Sequence, residues 1–150
     1  MKHNIGNILA AGYAIVGLAA LASCAGEKFH VTGSIANAKD SLLYFEHNGL
    51  DGFSTVDSVK LDEKGSFSFS GDKVDNPEFY RLRIGGQIIN IGIDSTETVD
   101  VKATYPQMAT DYTVKGSSEN EKIKKLALKQ IDLQARCQSI LAERPDIADS

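Results

Sequence analysis

The chain is short of the residues on which much small-protein chemistry depends. Its 150 residues hold two cysteines, three histidines, three prolines and no tryptophan. It has no Cys-x-x-Cys pair, no phosphate-cradling glycine loop, no His-Glu-x-x-His zinc helix and no Gly-x-Ser-x-Gly elbow. Dithiol redox, nucleotide-phosphate, zincin and serine-hydrolase mechanisms therefore lack their sequence footing. Carboxylates are plentiful, yet no spacing singles out a glycosidase-like pair. Basic charge is also scarce: 16 Lys and Arg stand against 20 Asp and Glu, without a basic patch, which argues against nucleic acid as a partner. The expectation is a chain with no catalytic residue, no metal site and no cofactor.

What is present begins at Met1. Lys2 and His3 precede a mostly apolar run from Ile5 to Ala22, followed by Leu21-Ala22-Ser23-Cys24. A charged head, an apolar middle and small residues before a cut are what an export signal requires, because the charge stays behind while the apolar helix enters the bilayer. The last four residues resemble the lipobox of bacterial lipoproteins, in which the cysteine is acylated and becomes the first residue of the mature chain. A retained membrane helix is the alternative; at 18 residues, with Asn7 and three glycines inside it, the run sits at the bottom of the spanning range. Cleavage would take the formal charge from −4 to −5, since the leader contains one lysine and no acid. The remaining 127 residues suit one modest core. With Cys24 acylated, only Cys137 keeps a thiol, and no intramolecular disulfide can form. The expected location is the cell envelope, with the lipid at Cys24 in the bilayer. The outer membrane facing the periplasm is favoured over surface export, because Ala25-Gly26-Glu27-Lys28 carries no strong acidic cluster.

Residues 24–28 read as a tether, 29–116 as an antiparallel β domain, 117–144 as a helix and 145–150 as a tail. Alternation of apolar and polar residues marks strands around Phe29-Val31, Phe53-Leu61 and Phe67-Phe69, while Ser41 to Glu46 is apolar on both parities, as in a strand covered on both faces or one that changes partner. Val59 and Leu61 are expected to pack across a hairpin on Phe67 and Phe69. Asp57 breaks the alternation, which calls for an edge or a bulge. Gly85-Gly86 has the composition of a two-residue hairpin turn and sets Ile84 opposite Gln87, Leu82 opposite Ile89 and Tyr80 opposite Ile91. Val99-Val101-Ala103 and Tyr112-Val114 complete about eight short strands, the pattern of an all-β sandwich or partly open barrel.

Four residues are candidate ligand contacts. His47 and Asp51 fall in a stretch of turn chemistry, His47-Asn48-Gly49-Leu50-Asp51-Gly52, where a loop can present side chains to solvent. Arg81 and Arg83 occupy adjacent positions on one strand face, fit either to clasp an anion or to lie solvated. His30, by parity, faces solvent.

After Gly116 the period changes to helical. Ser117 or Ser118 can cap the helix, and Ser118 with Glu121 has capping-box spacing. Ile123, Leu126, Leu133, Cys137, Ile140 and Leu141 form an apolar stripe that the sheet or a partner must cover, with Cys137 read as a small buried residue. Arg144 before Pro145 ends it near 143 or 144.

The order of several segments resembles a known family. Phe29-His30-Val31-Thr32-Gly33-Ser34-Ile35, Val56-Asp57-Ser58-Val59, Leu61 through Phe69, Pro77 through Leu82, and Val114-Lys115-Gly116-Ser117 before a charged helix are similar to the small N-terminal domain that precedes a thioredoxin-like domain in many Bacteroidetes thiol-disulfide lipoproteins, often labelled by their AhpC/TSA or TlpA-like half. The resemblance implies an all-β spacer or recognition module in the envelope. It implies an envelope protein or a thioredoxin-like domain against the helix as partner. No catalytic residue carries over, because the family's Cys-x-x-Cys belongs to the following half, for which this sequence leaves no room; Cys137 has no second thiol nearby. The chain then reads either as a stand-alone lipoprotein, with a ligand- or carbohydrate-binding role as a variant of that reading, or as the front part of an oxidoreductase.

Overall fold

The computed structural model describes residues 26–144. The proposed leader, Cys24 and the 145–150 tail lie outside the described residues. Eight strands precede one helix: β1 Lys28–Ala36, β2 Leu42–Gly49, β3 Gly52–Lys60, β4 Ser66–Asp72, β5 Glu78–Ile84, β6 Gln87–Ile93, β7 Thr98–Thr104, β8 Tyr112–Lys115 and α1 Ser118–Glu143. They form two four-stranded sheets, ordered β4-β1-β7-β8 and β3-β2-β5-β6. The all-β expectation holds, with one modification: β1 and β7 run parallel, and every other pair is antiparallel.

Alternation explains which face each strand buries, since successive side chains point to opposite sides of a sheet. Phe29 and Val31 on β1, Phe67 and Phe69 on β4, and Val99 and Val101 on β7 are all buried in the first sheet. The second sheet answers with Leu43, Phe45, Tyr80, Leu82, Ile89 and Ile91. Phe45 is the centre of an aromatic stack, parallel to Phe69 at 5.2 Å and to Tyr80 at 5.0 Å between ring centroids. Phe29 meets the same Tyr80 at 5.3 Å, so one ring cluster joins both sheets.

The β5–β6 hairpin has the expected register throughout, from Ile84 opposite Gln87 to Tyr80 opposite Ile91. The β3–β4 connection is different. These strands belong to separate sheets, so Asp62–Gly65 is a crossing between layers and not a hairpin turn. Asp62 Oδ1 accepts from the backbone N–H of Lys64 at 2.9 Å and of Gly65 at 3.0 Å, which folds the chain tightly. Gly65 has φ +63°, and an added Cβ would lie 1.9 Å from the Ile35 carbonyl oxygen, so only glycine fits there.

The irregularity around Asp57 is a bulge: Phe45 pairs with Asp57 and Glu46 with Thr55, leaving Val56 as the extra residue. Asp57 is exposed and accepts from the Ser58 N–H at 2.7 Å. As the edge of its sheet, β3 is exposed along nearly its whole length.

Helix α1 is capped by Ser117, whose hydroxyl accepts from the Asn120 N–H, so the Ser118–Glu121 box is not the cap used. Its first turns pack against β6 and β8, the free edges of the two sheets. Asn120 is 1% exposed and bridges to β6 with its amide: Gly92 N–H donates to Oδ1 at 2.9 Å, and Nδ2 donates to the Gly92 carbonyl at 2.8 Å. The side chain thereby replaces a neighbouring strand and blunts an edge that could otherwise recruit another chain. Ile123 packs close beside Gly92: a Cβ there would fall 2.9 Å from Ile123 Cδ1, so that side-chain tip would have to shift. On the other side Lys124 hydrogen-bonds the Tyr112 carbonyl and lies 4.9 Å over the Tyr112 ring.

Beyond this base the helix leaves the sheets. Every residue from Lys129 to Arg144 is exposed, roughly 20 Å of helix at 1.5 Å per residue. The expected sheet cover for the apolar stripe is thus confined to Ile123. Leu126, Leu133 and Ile140 are 69%, 51% and 56% exposed. Cys137 is exposed as well, contrary to its reading as a buried small residue, because the stripe's far end has no layer beside it.

Candidate functional site

Two polar clusters and a groove concentrate on the second sheet. The first cluster is on its outer face. Tyr44, Glu46, Arg81 and Arg83 follow the opposite parity from Phe45 and Leu82, and pairing sets Glu46 beside Arg81 and Tyr44 beside Arg83. Glu46 is only 5% exposed, although it faces away from the core. It is covered by its partners. Arg81 Nε donates to Oε2 at 2.5 Å, and Arg83 donates through Nη2 to Oε1 at 2.7 Å and through Nε to both oxygens at 3.0 and 3.2 Å. Arg81 lies 3.4 Å over the Phe53 ring and Arg83 4.5 Å over Tyr44, so each guanidinium is held between a carboxylate and an aromatic face.

Hydrogen bonding from Arg83, opposed by burial and reinforced by Arg81, holds the Glu46 carboxyl below the ordinary range; Arg83 is pushed up by the same contact. A carboxylate kept ionised between two arginines is ill suited to donating or collecting a proton near neutrality. The anion that Arg81 and Arg83 clasp is therefore the protein's own Glu46.

The second cluster stands at the start of β5. His47 Nε2 lies 2.9 Å from Glu78 Oε2, and the Tyr80 hydroxyl donates to the same oxygen at 3.1 Å. The His47 ring tilts against Tyr80 with centroids 5.0 Å apart. Burial, with Glu78 nearby, pushes the Tyr80 hydroxyl up to about 12. The sequence suggested a loop in which His47 and Asp51 could meet. His47 instead belongs to β2 and takes Glu78 as its carboxylate, while Asp51 sits exposed in the two-residue tip between β2 and β3. Among the described residues no group of three His, Cys, Asp or Glu side chains could hold a metal. None of their buried side-chain nitrogen or oxygen atoms lacks a hydrogen-bond partner.

The groove, of about 750 Å³, lies between the β6–β7 turn, the start of β5 and the base of α1, with Phe79, Gly92 and Ile123 among its lining. Phe79 is 52% exposed there. Of the charges at its rim, Glu97 is occupied by the turn, accepting from Asp94 N–H at 2.6 Å and Ser95 N–H at 2.8 Å, and Glu119 by Lys122 at 3.1 Å. The groove is an apolar recess in which the Glu97 and Glu119 carboxylates are held by their own neighbours.

Glu46, Glu78 and Asn120 were missed from sequence. Glu46 follows an apolar run, and its partners lie 35 and 37 residues away, visible only once β2 is known to pair with β5. Asn120 reaches a strand residue 28 positions away, which no local pattern marks.

Two four-stranded layers, a helix tied to their free edges and polar clusters closed on themselves define an all-β domain without an evident catalytic constellation among its described residues. Residues 29–123 match the family described as Domain of unknown function (DUF4369), and the chain belongs to that family. No curated protein matches it. Among solved structures the chain is similar to one titled "Crystal structure of (S)-allantoin synthase", at 11% identity and a TM-score of 0.41, covering 61% of this chain and 44% of that one. The chain thus spans under half the length of that protein.

Proposed function

We propose that this protein is a non-enzymatic accessory module of the cell envelope, anchored by a lipid on Cys24 and acting as a spacer or binding unit at a membrane, most simply the outer membrane facing the periplasm. The observation that carries the reading is that the clustered ionisable groups of the β domain are satisfied by one another: Glu46 by Arg81 and Arg83, Glu78 by His47 and Tyr80. Paired in this way these groups stiffen the sheet, and Glu46, held ionised between two arginines, is ill suited to moving a proton near neutrality. The leader and its lipobox-like end support the anchoring. Among the described residues no helix is long and apolar enough to cross a membrane.

The experiment is a Cys24→Ser exchange followed by fractionation and metabolic labelling with a radioactive fatty acid. The parent should sediment with membranes and carry label; the variant should lose the label and leave the membrane pellet. A labelled variant, or an unlabelled parent, would reject the anchor.

A second reading has a specific observation in its favour. The free part of α1, from Lys129 onward, has the form of a connector leading away from the β domain, as expected of an accessory domain beside a thioredoxin-like unit of a thiol-disulfide lipoprotein. Sequencing the coding region beyond Ser150 tests it: a thioredoxin-like segment in frame supports it, and a stop codon with no such segment nearby excludes it.

A further inference from the structure

We infer that the groove at the base of α1 is the seat of an acyl chain carried by the protein's own Cys24, occupied when the protein is out of the bilayer; this rests on the lipid anchor proposed above. Backbone connections bring the anchored end of the chain to the groove. The Glu27 carbonyl accepts from the Lys73 N–H at 2.9 Å, and Lys73 Nζ donates to Glu27 Oε2 at 2.7 Å. The next residue, Val74, donates its N–H to the Ser95 carbonyl at 3.4 Å, and the His30 N–H donates to the Glu97 carbonyl at 3.0 Å. Ser95 and Glu97 line the groove. Cys24 precedes Gly26 by two residues, at most about 7 Å of extended chain. An acyl chain adds about 15 Å, half the hydrocarbon core of a bilayer, and so reaches the rim. Residues 145–150 do not: α1 runs about 30 Å past Ile123, and six residues span at most about 22 Å.

The lining selects the same occupant. Gly92 leaves a bare floor between Ile123 and the Phe79 ring, whose nearest atoms lie 2.9 and 3.8 Å from where a Cβ would stand. Phe79 is half exposed, so apolar surface remains to be covered. Every buried side-chain nitrogen and oxygen among the described residues already has a partner, so the occupant need bring no polar group. At about 750 Å³ the groove is of a size that takes one small molecule or one lipid chain. Charge then separates the sources of such a chain. Glu78, Asp94, Glu97 and Glu119 stand at the rim against Lys122 alone. That field repels the carboxylate of a free fatty acid and the phosphate of a phospholipid. A chain in ester or amide linkage on Cys24 has no charge to repel. A bilayer surrounds a chain on every side and the groove covers only part of it, so docking to a membrane draws the chain out.

The test feeds cells a diazirine-bearing fatty acid, purifies the mature protein from membranes and irradiates it, once diluted below the micelle-forming detergent concentration and once in nanodiscs. Photolysis expels dinitrogen, and the carbene inserts into the nearest bond to hydrogen. In the diluted protein the cross-link should join Cys24 to Phe79, Ile123 or residues 92–97 of the same chain; in nanodiscs it should move to phospholipid. Phe79→Glu combined with Thr96→Glu changes only exposed side chains, so circular dichroism should be kept while groove cross-linking falls about tenfold. Free diazirine fatty acid added to protein bearing ordinary chains should leave the groove unlabelled. Label on Cys24 with cross-links elsewhere, cross-links joining two copies, cross-linking unchanged in the double variant, or groove labelling by the free acid would overturn this inference and leave the anchor standing. A parent with no label on Cys24 would overturn both.

Discussion

Replacing Glu46 by glutamine tests the outer-face cluster with little change in shape. The amide keeps the volume but removes the charge between Arg81 and Arg83, whose side chains are 17% and 28% exposed. Two guanidiniums would then share one site without a counter-ion. Breaking a deeply buried pair costs about 3–5 kcal/mol, and an exposed pair is worth about 0–1 kcal/mol. The cluster lies between these limits, because Glu46 is covered while both arginines keep an edge in water. We expect a loss of about 2 kcal/mol at pH 7, a shift in melting temperature of about 7 °C. The dependence on pH has a definite sign. Contact with Arg83 lowers the Glu46 pKa in the folded state relative to its ordinary 4.5, so its stabilisation is complete above that value and fades as the pH falls through the lowered one. Parent and variant should therefore differ fully at pH 6–7 and converge in acid, where Glu46 also becomes neutral. Urea denaturation of both proteins across that range is the assay. Equal stability at neutral pH, or a difference that does not shrink in acid, would refute the argument.

Three other outcomes follow from the packing and the polar contacts. Phe45→Ala opens the centre of the aromatic stack and should cost about 3–5 kcal/mol by urea denaturation. Asn120→Ala removes both side-chain hydrogen bonds to Gly92, so amide exchange at Gly92 and in the first turns of α1 should accelerate at least tenfold; unchanged exchange would mean that the edge is held by packing alone. Ultraviolet titration should show Tyr80 and Tyr112 ionising near pH 12, since burial raises both. Their contribution to stability is complete below pH 10 and is lost as the pH climbs through the raised values; Tyr80→Phe should delete one of the two late transitions.

The sequence was informative where order is local. The β5–β6 register could be read because Gly85-Gly86 fixes the turn and residue parity agrees with it. The helix could be read because the apolar period changes after Gly116 and Ser117 can cap it. Features joining distant segments were hidden. Asp62–Gly65 has the same residue types whether it turns a hairpin or crosses between sheets. The parallel pairing of β1 with β7 joins residues about 68 positions apart. The polar site was obscured for the same reason: Arg81 and Arg83 were visible as a pair, but the carboxylate that occupies them comes from β2, and His47 met Glu78 and not its sequence neighbour Asp51. The apolar stripe on α1 was correctly located, yet whether a sheet covered it depended on how far the helix outruns β8.

The central functional claim is that Cys24 is the first, lipid-bearing residue of the mature protein. Intact-mass spectrometry of the native protein recovered from envelope membranes tests it most directly. The account predicts a chain beginning at Cys24 that carries the added mass of two or three acyl groups. A chain retaining residues 1–23, or an unmodified Cys24, would contradict it.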